Sequence, residues 1–211
     1  MKNYLFDFDG TLVDSMPTFI AAMLGILDEH SISYTPDIVR TITPLGYRGT
    51  AEYFKSLGVP LSVDEMLAGM HDFARRAYAD SIPAKTAVRE ALLHLRARGS
   101  RLFVLTASPH EMLDICLVRL GLFDLFERVW SCEDFATTKA DPEIYRMAAR
   151  EIGAPVTEVA FFDDNLGALQ TAKRAGMVTV GVYDASSEAV AEDIRKTADR
   201  YITSFAELME D

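Results

Sequence analysis

Positive charge is in short supply in this chain. Only 21 Lys and Arg stand against 32 Asp and Glu in 211 residues, a net charge of −11. Phosphate-backbone affinity needs clustered Lys and Arg, so general nucleic-acid binding is not expected. An anionic ligand must instead be captured locally, by a metal and a few cations. Cysteine is nearly absent: Cys116 and Cys132 stand alone, which excludes a disulfide scaffold and leaves two reduced core thiols as the expectation. The four histidines show no metal-ligand spacing, and His30, His71 and His94 fall in helical patterns where exposure is the default. No apolar stretch reaches about 18 residues, so a membrane span is not supported. The chain opens on a strand pattern with no basic n-region and apolar h-region before it, which points to a cytoplasmic protein. Repeats and low-complexity segments are absent.

What is present is ordinary soluble material, 49% hydrophobic and 25% charged, long enough for a core plus a small second domain. Apolar runs at 3–7, 102–106, 127–131, 158–162 and 178–182 alternate with helical periodicity at 85–98, 110–120, 142–152 and 166–175. Strands alternating with helices predict a parallel sheet covered on both faces. Ser108-Pro109 with Glu111, and Asp141-Pro142, read as helix starts, and Gly99, Gly121, Gly153 and Gly176 as stops. A helix at 186–197, a short run at Tyr201-Ile202 and a last helix opened by Ser204 and Glu207 complete the pattern. Residues 15–80 break the alternation. There Met16, Phe19, Ile20, Met23, Leu24 and Leu27 recur at helical spacing, as do Tyr53, Phe54 and Leu57, then Met66, Met70, Phe73 and Tyr78. This predicts a helical insert (15–80) in an α/β core made of 1–14 and 81–211.

The chemistry is concentrated at strand ends. Asp7-Phe8-Asp9-Gly10-Thr11 follows the apolar run Tyr4-Leu5-Phe6. A buried strand that ends in two carboxylates carries a heavy desolvation penalty unless a cation or reaction partner offsets it. Gly10 permits a tight turn whose N–H groups could face an anion. The bland reading is an acidic turn after an edge strand. Three other segments weigh against it: Leu102–Leu105 ends in Thr106-Ala107-Ser108, Lys139 precedes Asp141-Pro142, and Val159–Phe162 ends in Asp163-Asp164-Asn165.

Together, Asp7 and Asp9, Thr106, Lys139 and Asp163-Asp164 resemble, in order and spacing, the four motifs of the haloacid dehalogenase-like hydrolase superfamily, over nearly the whole chain. The long helical segment between the first two motifs resembles the subfamily with an inserted α-helical cap, which includes phosphoglycolate phosphatases and β-phosphoglucomutases. The resemblance implies a Rossmann-like three-layer α/β core with a mainly parallel sheet. Thr106-Ala107, Lys139-Ala140-Asp141-Pro142 and Phe162-Asp163-Asp164-Asn165 depart from the commonest motif forms without removing an essential group.

Asp7 is then the candidate nucleophile, forming an aspartyl phosphate, and Asp9 the general acid and base. Mg²⁺ would be held by Asp7, the Asp9 main-chain carbonyl and Asp164, with Asp163 as a further ligand or the holder of a metal-bound water. The alternative is that Asp163, Asp164 and Asn165 cap the next helix. Thr106 and the Ala107 N–H are candidate phosphoryl donors and Lys139 the compensating charge. Ser108 reads as a helix cap. In the insert, Leu45–Gly49 resembles a substrate-reading loop, with Arg48 for a second anionic group or else a structural surface arginine. His110, just past the second motif, is a candidate for lining the site. The expected function is a Mg²⁺-dependent phosphatase for a small phosphomonoester, phosphoglycolate-like or a sugar phosphate, working as a monomer or small homo-oligomer. The rivals are a β-phosphoglucomutase-like mutase, disfavoured because Phe19 stands where those proteins carry a histidine, and a catalytically idle metal-binding module.

Overall fold

The computed structural model describes residues 1–210. They form two compact units, one of Met1–Asp14 with the chain from Pro83 onward, the other of Ser15–Ile82. In the first, six strands are β1 (Asn3–Phe6), β2 (Arg101–Thr106), β3 (Arg128–Ser131), β4 (Val159–Asp163), β5 (Val178–Val182) and β6 (Arg200–Ile202). They pair in parallel in the order β3-β2-β1-β4-β5-β6. Central strands are buried on both faces, which is why they read as apolar runs without alternation.

One face carries Leu5, Phe103 and Phe161. Against them pack Tyr145 and Ile152 of α7 (Pro142–Ile152), Leu169 of α8 (Leu166–Ala175) and Ile194 of α9 (Ala191–Thr197). On the other face the Phe6 ring lies 4.7 Å from Phe162, 6.1 Å from Phe205 and 6.3 Å from Phe126. Rings of this size dominate core burial, each worth about 1.5–3 kcal/mol. Helix α5 (Val88–Ala97) contributes Val88, Leu92 and Leu95, and α6 (His110–Arg119) Leu113 and Cys116, as buried residues.

Helix starts differ from expectation in informative ways. Asp141 accepts from Glu143 N–H at 2.9 Å ahead of Pro142, as the sequence suggests. The expected Ser108–Glu111 capping box does not form: α6 starts at His110, Pro109 holds the cap position, and Ser108 is committed elsewhere. The helix expected at 186–197 is a 3₁₀ segment, Ala185–Val190, followed by α9, and the last one is 3₁₀ as well, Phe205–Met209. His30 and His94 are half-buried, not exposed. Both cysteines are free and buried.

The second unit holds α1 (Met16–Glu29), α2 (Ile38–Ile42), α3 (Gly46–Ser56) and α4 (Val63–Asp80) around Met23, Leu27, Ile42, Phe54, Met66 and Met70. Leu57 and Phe73, which share the helical spacing of their neighbours, are exposed. No helix among the described residues is long and apolar enough to cross a membrane.

Candidate active site

Because β2 and β4 flank β1 on opposite sides, the strand order reverses at β1, and in open parallel sheets ligands bind at the carboxyl ends of the strands beside such a switch point. Phe6 pairs with Phe162, so Asp7 and Asp163, one residue on, emerge side by side from strands about 4.8 Å apart. The Asp7 N–H continues the ladder to the Phe162 carbonyl at 2.8 Å. Carboxylate oxygens of Asp7, Asp163 and Asp164 lie within 4.8 Å of one another, and all three residues are buried.

Lys139 reaches this cluster from the segment after β3. Its Nζ donates to Asp7 Oδ1 and, at 2.9 Å, to Asp163 Oδ2. Tyr145 braces the segment by donating to the Lys139 carbonyl at 3.1 Å. Burial opposes the Lys139 charge, but Asp163 and Asp7 outweigh it and hold its pKa above the usual lysine value. Burial first, then Asp163 and Asp9, push Asp7 up to about 7 against the pull of Lys139. Asp164 is raised well above the carboxylate range, by burial first and then by Asp163, Asp7 and Asp184. One ammonium therefore leaves an excess of buried negative charge, and an all-carboxylate donor set suits a hard divalent cation. The residues present fit a metal ion.

Asparagine resolves the capping alternative. Asn165 caps α8 through Ala168 N–H at 3.1 Å, so neither acid is needed there. Asp163 instead has both oxygens engaged, one by Lys139 and the other by Asn165 N–H at 2.7 Å. Asp164 accepts from Thr11 Oγ1 at 3.0 Å. Gly10 has φ +73°, and a Cβ there would stand 2.6 Å from Asp164 Oδ2, so the position requires glycine on both counts. The N–H groups of Gly10, Thr11 and Leu12 donate to Val13, Phe8 and Phe8 carbonyls at 3.0, 3.3 and 2.8 Å. These three bonds close the turn.

Asp9 is half-buried, and Ser108 Oγ donates to its Oδ2. The Ser108 N–H donates to Thr106 Oγ1 at 3.1 Å, and Thr106 itself is buried; Ala107 is exposed. Sequence reading missed the Ser108 bond because a serine before proline is an ordinary capping signal. It also missed Lys85, whose Nζ donates to the Gly10 carbonyl, since nothing in a lone lysine 75 residues away announces that contact. His110 lies between Asp134, 2.8 Å from Nε2, and Asp114, 3.1 Å from Nδ1. Arg48 is exposed in the first turn of α3, so Leu45–Gly49 is mostly the start of a helix and not a loop.

A family model described as haloacid dehalogenase-like hydrolase matches residues 1–176. Among curated relatives, the validoxylamine A 7′-phosphate phosphatase of Streptomyces hygroscopicus subsp. limoneus is 29% identical, over 92% of this chain and 93% of its own. The phosphorylated carbohydrates phosphatase of Thermotoga maritima is 26% identical, over 84% of this chain and 82% of its own. Among solved structures, a HAD family hydrolase of Deinococcus radiodurans R1, with phosphate and sodium bound, superposes with a TM-score of 0.78 at 22% identity. It covers 99% of this chain and 93% of its own.

Proposed function

Because the chain belongs to the haloacid dehalogenase-like hydrolase family, we propose that it is a Mg²⁺-dependent phosphatase for a small phosphomonoester, phosphoglycolate-like or a sugar phosphate. The observation that carries the reading is the contrast in surroundings of two carboxylates two residues apart. Asp7 sits in the buried acid cluster against Lys139, while half-buried Asp9 is bonded by the Ser108 hydroxyl. Environments that differ this way suit two roles, a nucleophile and a proton carrier.

A carboxylate oxygen of Asp7 attacks phosphorus as the ester oxygen leaves, and Asp9 gives that oxygen its proton. Asp9 then takes a proton from water, which attacks the aspartyl phosphate and regenerates Asp7. The Lys139 charge and the Thr106 hydroxyl, with the Ala107 N–H, offset negative charge on the phosphoryl oxygens. Asp7, the Asp9 carbonyl and Asp164 would hold Mg²⁺, which when bound neutralises carboxylate and phosphoryl oxygens alike. Phe19 packs 5.4 Å from the Tyr47 ring and offers no proton-transfer group, which favours water over a sugar hydroxyl as acceptor. Relatives named for phosphorylated carbohydrates and phosphoglycolate support that substrate class.

Chelation with EDTA should silence turnover of a generic aryl phosphate, and Mg²⁺ should restore it. Asp164→Ala should weaken Mg²⁺ binding more than Asp163→Ala, because both Asp163 oxygens already have protein partners. Full activity in metal-stripped protein would overturn the ligand assignment.

A further inference from the structure

Lys85 lies outside every motif, yet its ammonium spends all three donors within the α/β unit. Nζ is 2.6 Å from the Gly10 carbonyl, 2.5 Å from the Tyr183 carbonyl and 2.9 Å from Asp184 Oδ2. The Lys85 N–H donates to the Leu12 carbonyl at 3.0 Å, so the residue grips the turn after β1 twice. Its side chain is 17% exposed and that of Asp184 5%. Asp184 is fixed in turn: its Oδ1 accepts from Ser186 N–H at 2.9 Å and Ser186 Oγ at 2.6 Å, just past the end of β5. Lys85 thus ties the turn after β1 to the loop after β5.

We infer that Lys85 is a positioning residue that sets metal affinity by clamping the Asp9–Gly10–Thr11 turn against Asp164; the inference rests on the phosphatase reading above. Two features give the clamp its leverage. Gly10 is so close to the Asp164 carboxylate that no Cβ fits between them, and Thr11 donates to that same carboxylate at 3.0 Å. A turn free to rotate would therefore carry the Asp9 carbonyl and displace Asp164 together, both of them assigned to the metal. The second feature is charge. Asp184 bears electrostatically on Asp164, and Lys85 is the cation bonded to it. Groups that orient ligands in this way are worth about 10–100-fold in metal affinity or activity when removed.

The test is calorimetric titration of the purified full chain with Mg²⁺, beside kcat and KM for an aryl phosphate. Wild type is compared with Lys85→Arg, Lys85→Met and the double variant Lys85→Met/Asp184→Asn. The double variant guards against misfolding, since removing one partner of a buried pair leaves the other unpaired, whereas neutralising both does not. With far-UV circular dichroism unchanged, Lys85→Met and the double variant should each bind Mg²⁺ about 10–100-fold more weakly, with kcat falling at subsaturating Mg²⁺ and recovering as Mg²⁺ is raised. Lys85→Arg should retain part of the affinity. A purely structural lysine would lower thermal stability and leave Mg²⁺ affinity at the wild-type value in the folded double variant, which would overturn the clamp. Wild type that binds no Mg²⁺ would overturn the phosphatase reading itself, and the clamp with it.

Discussion

In the α/β unit the buried residues include four carboxylates, Asp7, Asp163, Asp164 and Asp184, each with a named partner. In the helical insert the buried polar residues are Ser15 and Thr50, and no carboxylate or cation is buried among its described residues. The insert holds together by Met, Ile, Leu and Phe packing around Phe54 and Met70. Burying an ion requires compensation that a small helical unit can supply only with difficulty, whereas converging strand ends bring partners from four segments to one place. The lesson is that chemistry belongs to the unit that can hold charge out of water.

The sharpest way to break this contrast is Asp7→Asn, which keeps the side chain's shape and removes the proposed nucleophile. Turnover of an aryl phosphate should fall by about 10³-fold or more, equivalent to about 4 kcal/mol, with the thermal transition retained. Near wild-type turnover would move the chemistry elsewhere. A smaller effect should come from Arg48→Ala in the insert. It should leave the aryl phosphate untouched and lower kcat/KM for the best anionic metabolite in a substrate panel by about 1.5–3 kcal/mol. Equal losses on both substrates would make Arg48 structural and deny the insert a role in choosing substrate.

The smallest effect concerns a surface charge of the α/β unit. A hydrogen bond to Asp134, and then Asp114, raises the His110 pKa against a lesser opposing effect of burial. A raised folded-state pKa stabilises below the unfolded value of about 6.5, and the contribution is lost as pH rises through the folded pKa. With the imidazole more than a third exposed, solvent screening limits this to about 1 kcal/mol or less. His110→Gln should therefore lower Tm at pH 5.5 and leave it unchanged at pH 9; an equal drop at both would show that packing, not charge, is at stake.

The fold was legible where patterns are strong. Apolar runs bounded by polar residues marked five strands within a residue or so, because central strands of a parallel sheet must be apolar on both faces. The 3₁₀ endings at 185–190 and 205–209 were not legible, since i+3 and i+4 spacings look alike over so few residues. Leu57 and Phe73 keep the helical spacing and are nonetheless exposed, because periodicity says which residues share a face, not whether another element covers it.

The sequence by itself determined which chemical groups stand at strand ends: two acids after the first strand, a threonine closing the second, a lysine before α7 and two acids where the fourth ends. Only tertiary structure decided what those groups touch. It placed Lys139 on Asp7 and Asp163, gave Asp9 to Ser108, left capping to Asn165 and set Lys85 beneath Gly10. The physical reason is range. Propensity and periodicity act over a few residues of chain, whereas a buried charge is stabilised by whatever lies within a few ångströms in space, here partners between 24 and 132 residues away.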